Sequence, residues 1–286
     1  MNAPFRSLLY VPALRERAVE KARALPCDGV ILDLEDSIAP SDKSAARARA
    51  IAEIERGGFG GRHLLIRINA PETPEGQQDL AALEATSMLA AVHGIVVPKA
   101  ESAADIERVR ARLPTLAPFA MIETPRAVLS LGVIAAACAT HRLGGGLVLG
   151  SNDLLKAMGA RDSTGREAIT AVMTQLVLAA RAFGLLPIDG VLNDFRDEDA
   201  LTAQCQQARL YGFAGKSLIH PAQINAANAA FSPDEDEIAR ARAIIAAFEA
   251  AESEGVTTLD GEMIEALHRD EARQTLAFAR ACGITL

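Results

Sequence analysis

Short apolar runs recur along this chain, each followed by a longer stretch with helical spacing, and this alternation limits the fold more than any other feature. The runs predict strands at 8–12, 29–34, 63–69, 94–99, 119–124, 146–151, 186–190 and 215–221. Between them, helices are predicted at 15–25, 41–55, 74–92, 103–113, 166–183 and 197–211. Strands that are apolar almost throughout are covered on both faces, which is the condition of a parallel sheet wrapped by helices. Eight such units over roughly 220 residues fit a (β/α)8 TIM barrel, for which ~250 residues is typical. A doubly wound open sheet is the competing arrangement.

After Pro221 the pattern changes. Residues 233–252 read as one amphipathic helix, with Pro233 at its start and acids in its first turn, where the helix dipole favours them. A loop at 256–261 and a last helix at 262–281 complete the chain. The predicted organisation is a barrel domain, 1–232, and a C-terminal helical extension, 233–286. The extension is surplus to a barrel and is expected to be a lid, an oligomerisation arm or both, packing on or swapping into a neighbouring subunit.

The net charge of -8 argues against nucleic-acid or anionic-membrane partners, which need a basic face. It leaves room for an anionic small molecule, which needs only a few local arginines. The four cysteines are scattered without a C-x-x-C pair, as expected of reduced thiols in a cytoplasmic protein. No run reaches the ~18 apolar residues of a membrane helix.

The stretch GVILDLEDSI, 29–38, is unusual: an apolar strand ends in Asp33, Glu35 and Asp36. Crowded acids repel, and an unpaired buried charge is costly. In a barrel, catalytic groups gather at the C-terminal ends of strands. Arg67, Asn69, Lys99, Glu123, Ser151-Asn152-Asp153, Asp189 and His220 share that position. Glu123 and Asp153, on adjacent strands, suit a hard divalent cation such as Mg2+, which takes one or two carboxylates. Arg67 offers a planar fork to a substrate carboxylate. A cation beside an arginine is suited to holding a 2-oxo acid. The cation's bound waters would also satisfy Glu35 or Asp36. Plainer readings stand beside these. Asp153 could cap a helix beginning at Leu154, and Asp33 could pair with a cation such as Arg6. Lys99 could be structural, and His220 could fix its loop. His63, His93, His141 and His268 read as surface or helix-end residues.

Taken together, RSLLYVP, GVILDLEDSIAPSDKSAAR, LLIRIN, GIVVPKAES, MIETPRAV, LVLGSNDL, GKSLIHPAQI and DGEMIEA run in order from Arg6 to about Ala279. This set resembles the citrate lyase β-subunit-like (CitE-like) branch of the HpcH/HpaI aldolase/citrate lyase superfamily. The resemblance implies a (β/α)8 barrel, dependence on Mg2+ (with Mn2+ an open alternative), and Claisen-type carbon–carbon cleavage or condensation. It implies an acyl-CoA thioester such as malyl-, citramalyl- or citryl-CoA, giving acetyl-CoA and a 2-oxo acid. It implies Glu123 and Asp153 as metal ligands, Arg67 as the carboxylate clamp and Asp36 with Glu35 as substrate contacts. Arg15 and Lys21 fall on the CoA side. The C-terminal motif implies a residue lent to a neighbouring subunit's site, hence a homotrimer or hexamer. Two departures stand out. The CoA-side loop reads Val11-Pro12-Ala13-Leu14-Arg15-Glu16, without the family's glycine and second proline. The motif's catalytic aspartate is here Glu265, one methylene longer, and a displacement of about 1 Å can cost on the order of a hundredfold in rate. Three alternatives remain: a class II aldolase without CoA, a subunit dependent on an acyl carrier, and a catalytically silent metal-binding paralogue.

Overall fold

The computed structural model describes residues 4–139, 145–161, 163, 165–251 and 255–286. Two compact units are present, one spanning Phe5–Asn228 and one containing Ala229–Leu286.

The first unit is a closed barrel of eight parallel strands in chain order, with β1 pairing to β8. The strands are β1 (Ser7–Pro12), β2 (Gly29–Asp33), β3 (His63–Arg67), β4 (Gly94–Val97), β5 (Ala117–Ile122), β6 (Gly146–Leu149), β7 (Leu186–Asp189) and β8 (Gly215–Leu218). The helices of this unit are α1 (Glu16–Ala22), α2 (Lys43–Arg56), α3 (Pro74–Ala85), α4 (Ala103–Arg112), α5 (Pro125–Leu129), α6 (Leu131–Ala139), α7 (Ser151–Met158), α8 (Thr170–Ala182) and α9 (Glu198–Tyr211). A further helix, α10 (Ile224–Ala230), follows β8. All eight predicted strands are present. The helix expected over 74–92 ends at Ala85, and α6, whose sequence LGVIAAACA carries no polar stripe, was not marked by periodicity.

Strand side chains alternate between the barrel interior and the helix layer, with period 2. Leu8, Ile31, Leu65, Val96, Phe119, Met121, Val148 and Ile188 form the interior cluster. Two residues beyond Ile31, Leu65 and Met121, on the same inward register, come Asp33, Arg67 and Glu123. The strands therefore carry apolar residues at depth and charged ones at their C-terminal mouth. Asp189 is one residue from Ile188 and faces the other way. It accepts bonds from Lys216 Nζ at 2.7 Å and Arg166 Nη1 at 2.7 Å, in a fully buried cluster with Gln204 of α9. Its expected place at the mouth is thereby corrected: period 2 sends it to the helix layer.

The second unit holds the C-terminal helices expected, with a hairpin between them. Helix α11 (Glu235–Ala250) begins one residue after its cap, Asp234, which exchanges bonds with Glu237. A hairpin follows, β9 (Val256–Leu259) and β10 (Glu262–Glu265), then α12 (Ala266–Ala281). Asp260 and Gly261 have φ of 52° and 83°, the backbone of a two-residue hairpin turn. The segment 262–265, expected to open the last helix, is thus a strand. Ala241, Ile244 and Phe248 of α11 close on Ile264 of β10 and Ala272 of α12. Among the described residues, no helix is long and apolar enough to cross a membrane.

Candidate active site

A cavity of about 400 Å3 opens at the C-terminal mouth of the barrel. Its charged lining is Asp33, Asp36, Arg67, Glu123 and Asp153. Tyr10, Met121, Leu149, Val191 and Ile219 give it an apolar wall.

The acids of GVILDLEDSI are tolerated because cations face them. Asp33 accepts from Arg67 Nε at 2.6 Å and Nη2 at 2.7 Å, and from the backbone N–H of Glu35 and Ser37. Burial alone would raise Asp33, but the Arg67 guanidinium and these N–H groups hold its carboxyl below the usual range. Asp33 thus pairs with an arginine, as its plainer reading allowed, though not with Arg6, which pairs with Asp28. Asp33 is on the inward register and Arg67 meets it there across the β2–β3 pair.

Arg67 is packed as well as paired. Its guanidinium lies over the Tyr10 ring, 4.8 Å from the centroid. Asp33 takes the side of the fork, so the end of the guanidinium is what reaches the mouth. There Nη1 stands 3.0 Å from Glu35 Oε2 and 3.2 Å from Asp36 Oδ2. Glu35 is buried. Its Oε1 accepts from the Lys99 ammonium, and its Oε2 has no hydrogen-bond partner of good geometry. Burial raises Glu35 despite both cations. Asp36 is exposed. Lys43, from the SDKSAAR segment, donates to the carbonyls of Leu34 and Glu35 at 2.9 and 2.6 Å and holds this loop from behind.

Glu123 follows β5 and is 2% exposed. Its Oε1 accepts from the Lys99 N–H at 2.7 Å, while Oε2 bonds to no group among the described residues. Burial first, then the nearby Glu35 and Asp153 carboxylates, push Glu123 up to about 7. Asp153 lies in the first turn of α7, which starts at Ser151 after Gly150. Asp153 therefore does not cap a helix beginning at Leu154; it is two residues inside one. Its side chain lines the cavity. Gly150 lets this happen. A β-carbon there would stand 2.3 Å from Glu123 Cβ and 2.7 Å from Oε2.

These features fit a hard divalent cation. The donors are carboxylate oxygens, one of them buried without a cationic side chain of its own, and the glycine leaves open the space beside it. Arg67, Glu123, Asp153 and Asp36 share the cavity lining, and Glu35 adjoins it through Arg67. Arg15 and Lys21 are exposed on α1 and its approach, without an ion pair among the described residues. Glu265 belongs to the second unit, exposed at the N-cap of α12, where its N–H donates to His268 Nδ1. Glu262 pairs with Arg240 at 2.9 Å.

Other expected groups are occupied elsewhere. Asn69 donates to Asp79, which also holds Arg47. His220 Nδ1 accepts from the N–H of Ala222, and its ring stacks on Phe195, so it fixes its loop. His63 is not a surface residue: it is buried, stacked 3.8 Å from Phe5. His93 accepts from the Leu64 N–H, and His141 lies outside the described residues. Sequence reasoning missed Tyr10 and Gly150. Tyr10 had a signal, being on the inward register of β1 two residues after Leu8, but an aromatic in an apolar run looks like core.

A closed (β/α)8 barrel with a carboxylate pair and an arginine at the C-terminal mouth has the layout of a TIM-barrel enzyme site. The chain belongs to the HpcH/HpaI aldolase/citrate lyase family, whose model matches residues 6–221. It is 46% identical to a (3S)-malyl-CoA thioesterase of Cereibacter sphaeroides, over 97% of this chain and 95% of that one. It is 33% identical to an L-malyl-CoA/β-methylmalyl-CoA lyase of the same species, over 92% and 90%. Its fold matches CitE of Mycobacterium tuberculosis in complex with magnesium, acetoacetate and coenzyme A. The TM-score is 0.78 at 32% identity, covering 98% of each chain.

Proposed function

We propose that this protein acts on coenzyme A thioesters of short 3-hydroxy acids with a distal carboxylate, of the malyl-CoA kind, and hydrolyses the thioester to free acid and CoA. The single observation that carries the reading is the Glu123–Asp153 pair beside Arg67 in one cavity. Similarity to a malyl-CoA thioesterase over nearly the whole chain favours hydrolysis as the outcome. Glu123 and Asp153 would hold Mg2+, or Mn2+ in its place. The bound cation would fix the substrate's carboxylate and hydroxyl and stabilise oxygen charge that develops.

The chain's own groups do the rest. Arg67, its orientation locked by Asp33 and Tyr10, presents its end to the substrate carboxylate. Asp36 and Glu35 accept bonds from water or substrate hydroxyl beside it. Arg15 and Lys21 attract the CoA phosphates. Glu265, lent by a neighbouring copy in a homotrimer or hexamer, takes a proton from the attacking water.

A second reading shares the same bound state. Arg67 and the carboxylate pair hold the half of the ester that carbon–carbon cleavage would release as a 2-oxo acid. In that lyase reaction Glu265 takes the proton of the 3-hydroxyl, the carbon–carbon bond breaks to give the 2-oxo acid and the thioester enolate, and the enolate takes up a proton to leave as acetyl-CoA. Similarity to a malyl-CoA lyase favours this reading.

One assay separates them. Purified protein with Mg2+ is given malyl-, citramalyl- and citryl-CoA, and free thiol and 2-oxo acid are followed together. Hydrolysis yields thiol without 2-oxo acid. Cleavage yields 2-oxo acid and acetyl-CoA without thiol. Glu123→Gln lowers either rate by about 100-fold or more. If no ester turns over, the aldolase, carrier-dependent and silent alternatives take precedence.

A further inference from the structure

Lys99, two residues past β4, has φ of 49°, a left-handed backbone that glycine takes freely and lysine does not. Such strain persists where the surroundings over-determine it. Two bonds leave this residue in different directions. Its backbone N–H donates to Glu123 Oε1 at 2.7 Å, and its ammonium donates to Glu35 Oε1. The ammonium also stands 3.9 Å from Asp36 Oδ1. Ala100, the next residue, is fully buried.

We infer that Lys99 is a positioning residue that ties the β5 carboxylate to the acidic loop after β2. Its backbone half occupies Glu123 Oε1, so that Oε2 is the oxygen left for a cation. Its side-chain half engages Glu35 Oε1, so the carboxylate beside Arg67 Nη1 is shared between two cations and its hold on the guanidinium end, where substrate would bind, is weakened. The inference rests on the reading of Glu123 and Asp153 as cation ligands.

The two halves respond oppositely to substitution. Lys99→Gly keeps the N–H, accepts the left-handed backbone and removes the ammonium. Loss of a nearby positive charge leaves Mn2+ affinity equal to or above that of the unaltered protein. The KM for ester rises about tenfold, and Lys99→Arg returns it toward the starting value. Lys99→Val resists a positive φ, because its branched β-carbon clashes there. Its Mn2+ affinity falls about tenfold or more. Free Mn2+ is counted by electron paramagnetic resonance on the full-length protein, and circular dichroism checks the fold of each variant. Lys99→Val binding Mn2+ as tightly as Lys99→Gly would overturn the backbone half. An unchanged KM in Lys99→Gly would overturn the side-chain half, and this holds even if Lys99→Val does not fold. Glu123→Gln is the control for the cation reading: if it and the unaltered protein bind Mn2+ alike, that reading falls and takes the inference with it.

Discussion

At Gly150 a single methyl group separates two outcomes. Alanine there would press on Glu123 at contacts no real β-carbon makes, 2.3 Å and 2.7 Å. We expect Gly150→Ala to cost about 1–3 kcal/mol of stability through overpacking. Cation affinity should fall about 10- to 100-fold, measured by Mn2+ titration. Glu123 also sets a pH dependence. With its carboxyl at about 7, a cation must displace a proton, so affinity falls about tenfold per pH unit below 7 and levels off above it. The stability sign follows from the same shift. A raised carboxyl pKa means that the cation-free fold loses stability as pH climbs from 4.5 toward 7. Added Mg2+ should therefore raise the melting temperature more at pH 8 than at pH 5. Asp33 acts in the opposite sense and a lower window. Its stabilisation is present above 3.8 and is lost as pH falls below that. Asp33→Asn takes the two-bonded, buried counter-charge from Arg67, leaving only Glu35 and Asp36 at Nη1, and should cost about 3 kcal/mol in urea unfolding. At this scale, position at a strand end picked out Asp33, Asp36, Arg67, Glu123 and Asp153, which line the cavity, but equally Asn69, Asp189 and His220, which do not. It did not reveal which acid faced which cation, because Arg6 and Arg67 are equally plausible partners for Asp33 until the β2–β3 register is known.

The elements divide by how their signal is written. The barrel strands were legible because burial on both faces leaves unbroken apolar runs, and the helices between them because most have one polar face. Helix α6 was not, since burial of Leu131, Ile134, Ala135, Ala137 and Cys138 leaves it without an alternating stripe. The hairpin β9–β10 was hidden for a different reason. Its strands are four residues each, too short for period 2 to compete with the helix that follows, and the Asp260-Gly261 dipeptide was its best marker. Both turn residues have positive φ. Gly261→Val should therefore destabilise the second unit by about 1–3 kcal/mol, read as faster amide exchange in 256–265 with the barrel strands unaffected.

At the scale of the whole molecule, the proposed role of Glu265 makes activity a property of the assembly. If one copy lends Glu265 to another copy's mouth, Glu265→Ala and Glu123→Ala proteins are each inactive alone. Mixed and reassembled, they should recover a measurable fraction of activity, because some mouths regain both groups. Light scattering gives the number of copies.

The mouth also dictates an order of arrival. Five carboxyl groups, Asp33, Glu35, Asp36, Glu123 and Asp153, share it with the cations Arg67 and Lys99. An empty mouth therefore repels a substrate whose acyl end and nucleotide end are both anionic, and it attracts a divalent cation. Under the proposed function, the metal is a gatekeeper before it is a catalyst: the ester has no welcome until the ion has come first.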